Sequence, residues 1–60
     1  MGELNTLLTV ADVARLFGLK EKTIYRWVAS RRIEVIRVGR RLRFDQGDIM
    51  RWIAARKESA

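Results

Sequence analysis

The sequence predicts a mostly α-helical domain with a small β-hairpin, an α+β fold in the order helix, tight turn, helix, hairpin, helix. Three observations predict it: two helix starts of the same form, apolar residues at a 3.6-residue period, and a switch to alternation between residues 33 and 44. A chain of 60 residues forms a single domain. We expect residues 7–57 to be ordered and residues 1–6 and 58–60 to be frayed.

The first helix is predicted to begin after Thr9. The Thr9 hydroxyl can cap the free backbone N–H groups, and Asp12 stands three residues later as the reciprocal partner. The apolar residues of this segment share one side of a helix: Val10, Val13, Ala14, Leu16 and Phe17. Gly18 can adopt the left-handed conformation that closes a helix, so a tight turn into the next helix is expected there.

The second helix has an apolar side and a basic side. Ile24, Trp27 and Val28 fall on one face, whereas Lys22 and Arg26 fall on the opposite face. The apolar face is expected to pack on the core. The basic face is expected to be exposed.

Residues 33–44 lose the helical period, and apolar residues alternate there with arginines around Gly39, which is typical of a half-buried hairpin. Four apolar side chains of this stretch can all face the core: Ile36, Val38, Leu42 and Phe44. That arrangement pairs Val38 with Leu42 and leaves a three-residue loop at residues 39–41. Arg37 and Arg43 then share the outer face.

A two-residue turn at Gly39 and Arg40 is the alternative for the hairpin. It suits the chemistry of turns that begin with glycine, but it mixes apolar and basic side chains on each face. We therefore favour the three-residue loop.

The third helix is predicted to begin at Asp45, which caps it with Asp48 three residues on, and to run to about Arg56. Its apolar residues recur at helical spacing: Ile49, Trp52 and Ile53. Four aromatic side chains are expected to meet in one small core beneath the hairpin: Phe17, Trp27, Phe44 and Trp52. Capping accounts for both aspartates, so we assign them no catalytic or metal-binding role.

Positive charge is concentrated in residues 20–43, where nine Lys and Arg residues face only two acids. Such a field attracts polyanions, either nucleic acid or an anionic membrane surface, and charge alone does not choose between them. The chain has no Cys and no His, which excludes disulfides, thiolate nucleophiles and the usual zinc ligands. No apolar run approaches the roughly 20 residues needed to span a bilayer, so we expect a cytoplasmic protein that uses no membrane.

Three stretches resemble the winged helix-turn-helix domains of phage excisionases and of the DNA-binding heads of MerR-type regulators. They are LTVADVA at 8–14, TIYRWV at 23–28 and IRVGRRLRF at 36–44, with Asp48, Ile49 and Trp52 in the last helix. The resemblance implies a second helix in the major groove and a hairpin wing over the adjacent minor groove or backbone, usually on bent or cooperatively coated DNA. Lys20 replaces the usual Ser-like cap, and Ser30 to Arg32 stand where a glycine often follows the second helix.

The candidate DNA-binding residues fall into three groups. The recognition helix contributes Lys20, Glu21, Lys22, Thr23, Tyr25 and Arg26. The wing contributes Arg37, Gly39, Arg40, Arg41 and Arg43. Arg31 and Arg32 are either contacts to the DNA backbone or ordinary surface residues.

Several of these residues also have a simpler explanation. Lys22 and Arg26 can contact phosphates or guanine edges, or can form a solvated basic face; we favour contact. Glu21 can accept from a cytosine amino group, although an acid in a first turn more often complements the helix dipole. Thr23 and Tyr25 can touch a phosphate or a thymine methyl, or Tyr25 can cover the edge of the core.

The leading hypothesis is an excisionase-like architectural factor, encoded by a prophage or mobile element, that binds and bends double-stranded DNA at a recombination site. A stand-alone MerR-like transcription regulator would use the same residues, and sequence does not separate the two. A basic module that docks on an acidic protein or a membrane is a rival from another class. We expect no catalytic residue, cofactor, metal or small-molecule ligand; an integrase and further copies on DNA are candidate partners.

Overall fold

The structure, a computed structural model, describes residues 7–58. Residues 1–6 and 59–60, which belong to the segments expected to be frayed, lie outside the described residues. The elements in chain order are β1 (Leu7–Leu8), α1 (Val10–Phe17), α2 (Glu21–Ala29), β2 (Ile36–Val38), β3 (Arg41–Asp45) and α3 (Gln46–Arg56). The predicted α+β order of helix, turn, helix, hairpin and helix is confirmed.

The start of α1 forms the predicted capping box. The Thr9 hydroxyl accepts from the Asp12 backbone N–H at 3.0 Å, and the Asp12 carboxylate accepts from the Thr9 N–H at 3.0 Å. The hydrogen bond from the Thr9 backbone N–H to the Asp12 carboxylate is the largest of the causes that hold the pKa of Asp12 below its usual range. Two of the backbone donors that a helix start leaves unpaired are thereby satisfied.

Both α1 and α2 end in a Schellman motif, but only α1 uses a glycine for it. Gly18 has φ 70°, and the Leu19 N–H bonds back to the Ala14 carbonyl at 2.8 Å. At the end of α2 the same place is occupied by Arg31, with φ 59°, and the Arg32 N–H bonds to the Trp27 carbonyl at 2.9 Å. The second helix therefore stops as sharply as the first without a glycine.

The three strands form one antiparallel sheet in the order β1-β3-β2. The strand β1 was not predicted; in it Leu7 pairs with Asp45 and Leu8 with Phe44. This pairing holds the segment before α1 against the centre of the sheet. It therefore places the beginning of α1 beside β3.

The predicted hairpin register is wrong. Val38 pairs with Arg41, so Gly39 and Arg40 form a two-residue turn in which Gly39 has φ 62°. A glycine-first two-residue turn matches the twist of the flanking strands, and this local geometry outweighs the burial of all four apolar side chains. Ile36 and Val38 are consequently exposed, whereas Leu42 and Phe44 face the interior.

The register also separates two arginines that were expected on one outer face. Arg37 pairs with Leu42, and Arg43 pairs with Ile36. Because residues directly opposite each other point to the same side of a sheet, Arg37 and Arg43 emerge on opposite faces of the hairpin.

Within residues 7–58, eight buried side chains form the core: Val10, Val13, Ala14, Ile24, Val28, Ile33, Phe44 and Ile49. Phe17, Trp27 and Trp52 are half-buried and pack against it, with Trp27 stacked on Trp52 at 5.1 Å between ring centroids. Leu16 and Ile53 were assigned to the apolar faces of their helices, but both are exposed. They lie at the margins of those faces, where the core of so small a domain does not reach.

The helix α3 begins as predicted. The Asp45 side chain accepts from the Asp48 backbone N–H at 3.0 Å. The Asp48 carboxylate is paired with the Arg51 side chain. The helix ends at Arg56, where it was expected to end.

Candidate nucleic-acid interface

An open groove of about 480 Å³ lies between the start of α1, the helix α2 and the hairpin. We call it the arginine groove. Its lining residues are Thr9, Val10, Ala11, Glu21, Tyr25, Arg37, Arg40, Arg41, Leu42 and Arg43. Three separate parts of the sequence thus contribute to one concave surface.

The groove brings together candidate residues of both the recognition helix and the wing. Glu21 and Tyr25 stand one turn apart on α2 and line the groove from one side. All four wing arginines line it from the hairpin: Arg37, Arg40, Arg41 and Arg43. Gly39 forms the turn that carries Arg40.

The other candidates on α2 lie outside this lining. Lys22 and Arg26 are exposed on the helix, as expected for its basic face, and Thr23 is half-buried. Lys20 precedes the first residue of α2 and forms no side-chain cap. These side chains therefore belong to the surface of α2 and its start outside the groove lining.

Arg31 and Arg32 are set apart from the arginine groove. Arg31 lines two further cavities, of about 470 and 390 Å³, and Arg32 lines the smaller of them. The Arg32 guanidinium lies 5.8 Å from the Trp27 ring centroid. Arg37 lines both the arginine groove and the larger of these cavities, and so connects the two regions.

Some groove residues were missed by the sequence prediction. Thr9, Val10 and Ala11 line the groove at the start of α1, and Leu42 contributes from β3. Thr9 carried a recognisable capping signal, but nothing in it indicated proximity to the wing. That proximity depends on the pairing of β1 with β3, and two residues are too few to show a strand period.

The groove arginines have no carboxylate partner within residues 7–58. The ion pairs in that part of the chain join Asp12 to Arg15 and Asp48 to Arg51, both outside the arginine groove. Arg43 instead donates to the neighbouring Leu42 carbonyl at 2.7 Å. Four arginines that line one groove without a carboxylate from residues 7–58 repel one another, and an anion placed between them reduces that repulsion.

A family model described as a helix-turn-helix domain matches residues 7–57. The chain belongs to this helix-turn-helix family, as its motifs suggested, and is a sequence-specific DNA-binding domain. No curated protein and no solved structure shows a significant match to the chain. Among residues 7–58 there is no helix with the length and apolar character needed to cross a bilayer.

Proposed function

We propose that the protein is an excisionase-like architectural factor, which binds cooperatively to double-stranded DNA, bends it and directs site-specific recombination. In this proposal α2 enters the major groove with Lys22 and Arg26 toward the base edges, while the wing lies over the adjacent minor groove or backbone. The chain itself carries out no catalysis. It acts in the cytoplasm on DNA, with an integrase or recombinase supplying the chemistry.

The arginine groove is the observation that carries this proposal. Four arginines of the wing line a groove that Glu21 and Tyr25 of α2 also line, and none of the four has a carboxylate partner within residues 7–58. A duplex that presents its bases to α2 places its phosphate backbone over the flanking surface, where the wing arginines lie. Contacts to phosphates then fix the register of the protein on the duplex, and α2 supplies the sequence preference.

Bending would arise from the same contacts. If the backbone is drawn toward the wing arginines, the duplex must deform, and the energy of that deformation depends on its sequence.

The family match also suits a transcription regulator that applies the same surface to a promoter. An excision assay with the cognate integrase separates the two roles, because a regulator leaves the yield of recombination unchanged.

Salt titration of duplex binding tests the electrostatic part of the proposal. With about five phosphates neutralised, the slope of log affinity against log salt is expected near −4 to −5, because each contact releases counterions. Arg41→Ala should lower the magnitude of the slope by about one. Lys57→Ala is the matched control, since it removes one positive charge outside the groove and should leave the slope nearly unchanged. A wild-type slope near zero would refute the proposal.

A second comparison separates the two parts of the surface. Arg26→Ala should cost about 1–3 kcal/mol of discrimination at one or two base pairs, whereas Arg41→Ala should weaken binding to all sequences alike. Affinities measured on the preferred duplex and on single-base variants of it give both quantities. Uniform losses for both substitutions would contradict the division between base contacts and backbone contacts.

A further inference from the structure

Among residues 7–58, one acidic side chain lines the arginine groove. Glu21 is the first residue of α2, is exposed, and shares the groove with the four wing arginines. Within residues 7–58 its carboxylate takes part in no ion pair, although guanidinium groups line the same concavity. The groove is therefore basic at the wing and acidic at one point on the recognition helix.

A carboxylate in this position opposes nonspecific binding to DNA. It is repelled by phosphates, and a duplex that lies loosely over the groove brings phosphates toward it. A negative charge near the N-terminus of a helix interacts favourably with the helix dipole, which accounts for an acid in the first turn. That interaction does not require the acid to face the groove. The unfavourable repulsion between the Glu21 carboxylate and the phosphates is offset only where the DNA presents a hydrogen-bond donor to the carboxylate.

Base edges in the major groove differ in whether they present such a donor. Cytosine offers its N4 amine and adenine its N6 amine, whereas guanine offers only N7 and O6 as acceptors and thymine offers O4 and a methyl group. A carboxylate bonds to the first two and is repelled by the acceptors of the other two. It thus discriminates by attraction and by rejection together.

We propose that Glu21 is a specificity-determining residue, which accepts a hydrogen bond from the exocyclic amine of a cytosine or adenine beside a phosphate held by the wing arginines. The inference rests on the proposed binding of duplex DNA and adds a residue that selects the sequence. Tyr25, one turn further along α2 and in the same groove, flanks the base that Glu21 contacts. Guanine or thymine at that position is rejected.

Selection from a pool of random duplexes, followed by sequencing of the bound fragments, tests this role. The proteins compared are the wild type, Glu21→Ala and the matched control Glu34→Ala, which removes an exposed acid outside the arginine groove. The wild type and the control should share a preference for cytosine or adenine at one position. Glu21→Ala should lose that preference, with a fall of about tenfold in the affinity ratio of preferred to substituted duplex.

Glu21→Gln provides a second measurement that keeps the size of the side chain. Its amide can donate to guanine O6 or thymine O4, so this variant should accept the bases that the wild type rejects. Thermal unfolding verifies that each variant is folded. The role of Glu21 would be overturned, and the proposed function would stand, if both Glu21 variants kept the wild-type base preferences at every position. An equal loss of preference in Glu34→Ala would have the same consequence. Failure of the wild-type protein to enrich any duplex would instead overturn the proposed function together with it.

Discussion

The indole N–H of Trp52 donates a hydrogen bond of 2.9 Å to the backbone carbonyl of Arg32, 20 residues earlier in the chain. Arg32 is also the residue whose N–H closes the end of α2 on the Trp27 carbonyl. Since Trp27 stacks on Trp52, one cluster ties α3 to the end of the recognition helix by ring contact and by hydrogen bond. The direction in which α2 presents its basic face is therefore set partly by α3.

Substitution of Trp52 by phenylalanine should reduce the free energy of unfolding by about 1 kcal/mol beyond the effect of the smaller ring, because the Arg32 carbonyl loses its donor. Urea denaturation measures the change. The control is Trp27→Phe, which removes the same ring volume from the same stack but leaves the Trp52 hydrogen bond in place. Equal losses in the two variants would show that the bond contributes nothing of its own.

Arg31→Gly is expected to stabilise the protein by about 0.5–1 kcal/mol. A left-handed conformation costs a non-glycine residue roughly 1–2 kcal/mol, and glycine removes this cost. Part of the resulting gain in stability is offset by the greater freedom of glycine in the unfolded chain. Arg31→Ala removes the same guanidinium while keeping the unfavourable conformation, so it should give no stabilisation. If both variants unfold at the wild-type temperature, strain at this position is negligible.

The Asp12 carboxylate makes the stability of the domain depend on acid. Its pKa is lowered in the folded state, chiefly by the hydrogen bond from the Thr9 backbone, so folding favours the ionised form. The resulting stabilisation is complete above the ordinary aspartate pKa of about 3.9 and is lost as the pH falls through the lower folded value. Asp12→Asn should therefore flatten the decline of the melting temperature below about pH 4. Glu34→Gln, which alters no cap, controls for the loss of one charge; an equal flattening there would contradict the assignment.

Local signals in the sequence were sufficient to locate both ends of α1. Thr9 with Asp12, and Gly18 after Phe17, each act within one turn of chain, and the structure places both ends of α1 where these signals predict. The end of α2 carries no such signal, because Arg31 adopts a conformation that its residue type does not favour. It is imposed by the backbone hydrogen bonds around it.

The hairpin shows where pattern and local geometry compete. The alternation of apolar residues and arginines correctly predicts the two strands of the hairpin. The further rule that every apolar residue in them faces the core does not hold. Turn chemistry at Gly39 fixed the register instead, and so Ile36 and Val38 remain exposed. The composition of the groove followed from contacts between segments, among them the pairing of Leu8 with Phe44, which the periodicity of one segment does not reveal.

We expect copies of the protein to contact one another effectively only when they are bound at neighbouring sites on DNA. A single DNA-binding domain of this size buries roughly 600–1,000 Å² of protein surface on a duplex, which is too little to hold a unique site tightly. The longest helix within residues 7–58 has 11 residues, less than the three or four heptads that a stable coiled-coil dimer requires, so this part of the chain is expected to be monomeric in solution. Weak contacts between copies become effective only when neighbouring sites bring the copies to high local concentration.

Titrations on one isolated site and on two adjacent sites should therefore differ, with steeper and tighter binding on the pair. Moving the second site by half a helical turn is the control, because it places the copies on opposite sides of the duplex and puts their bends out of phase. Sedimentation of the free protein should show a monomer. A tight complex on a single site, or a stable dimer without DNA, would instead favour a conventional dimeric regulator over an architectural factor.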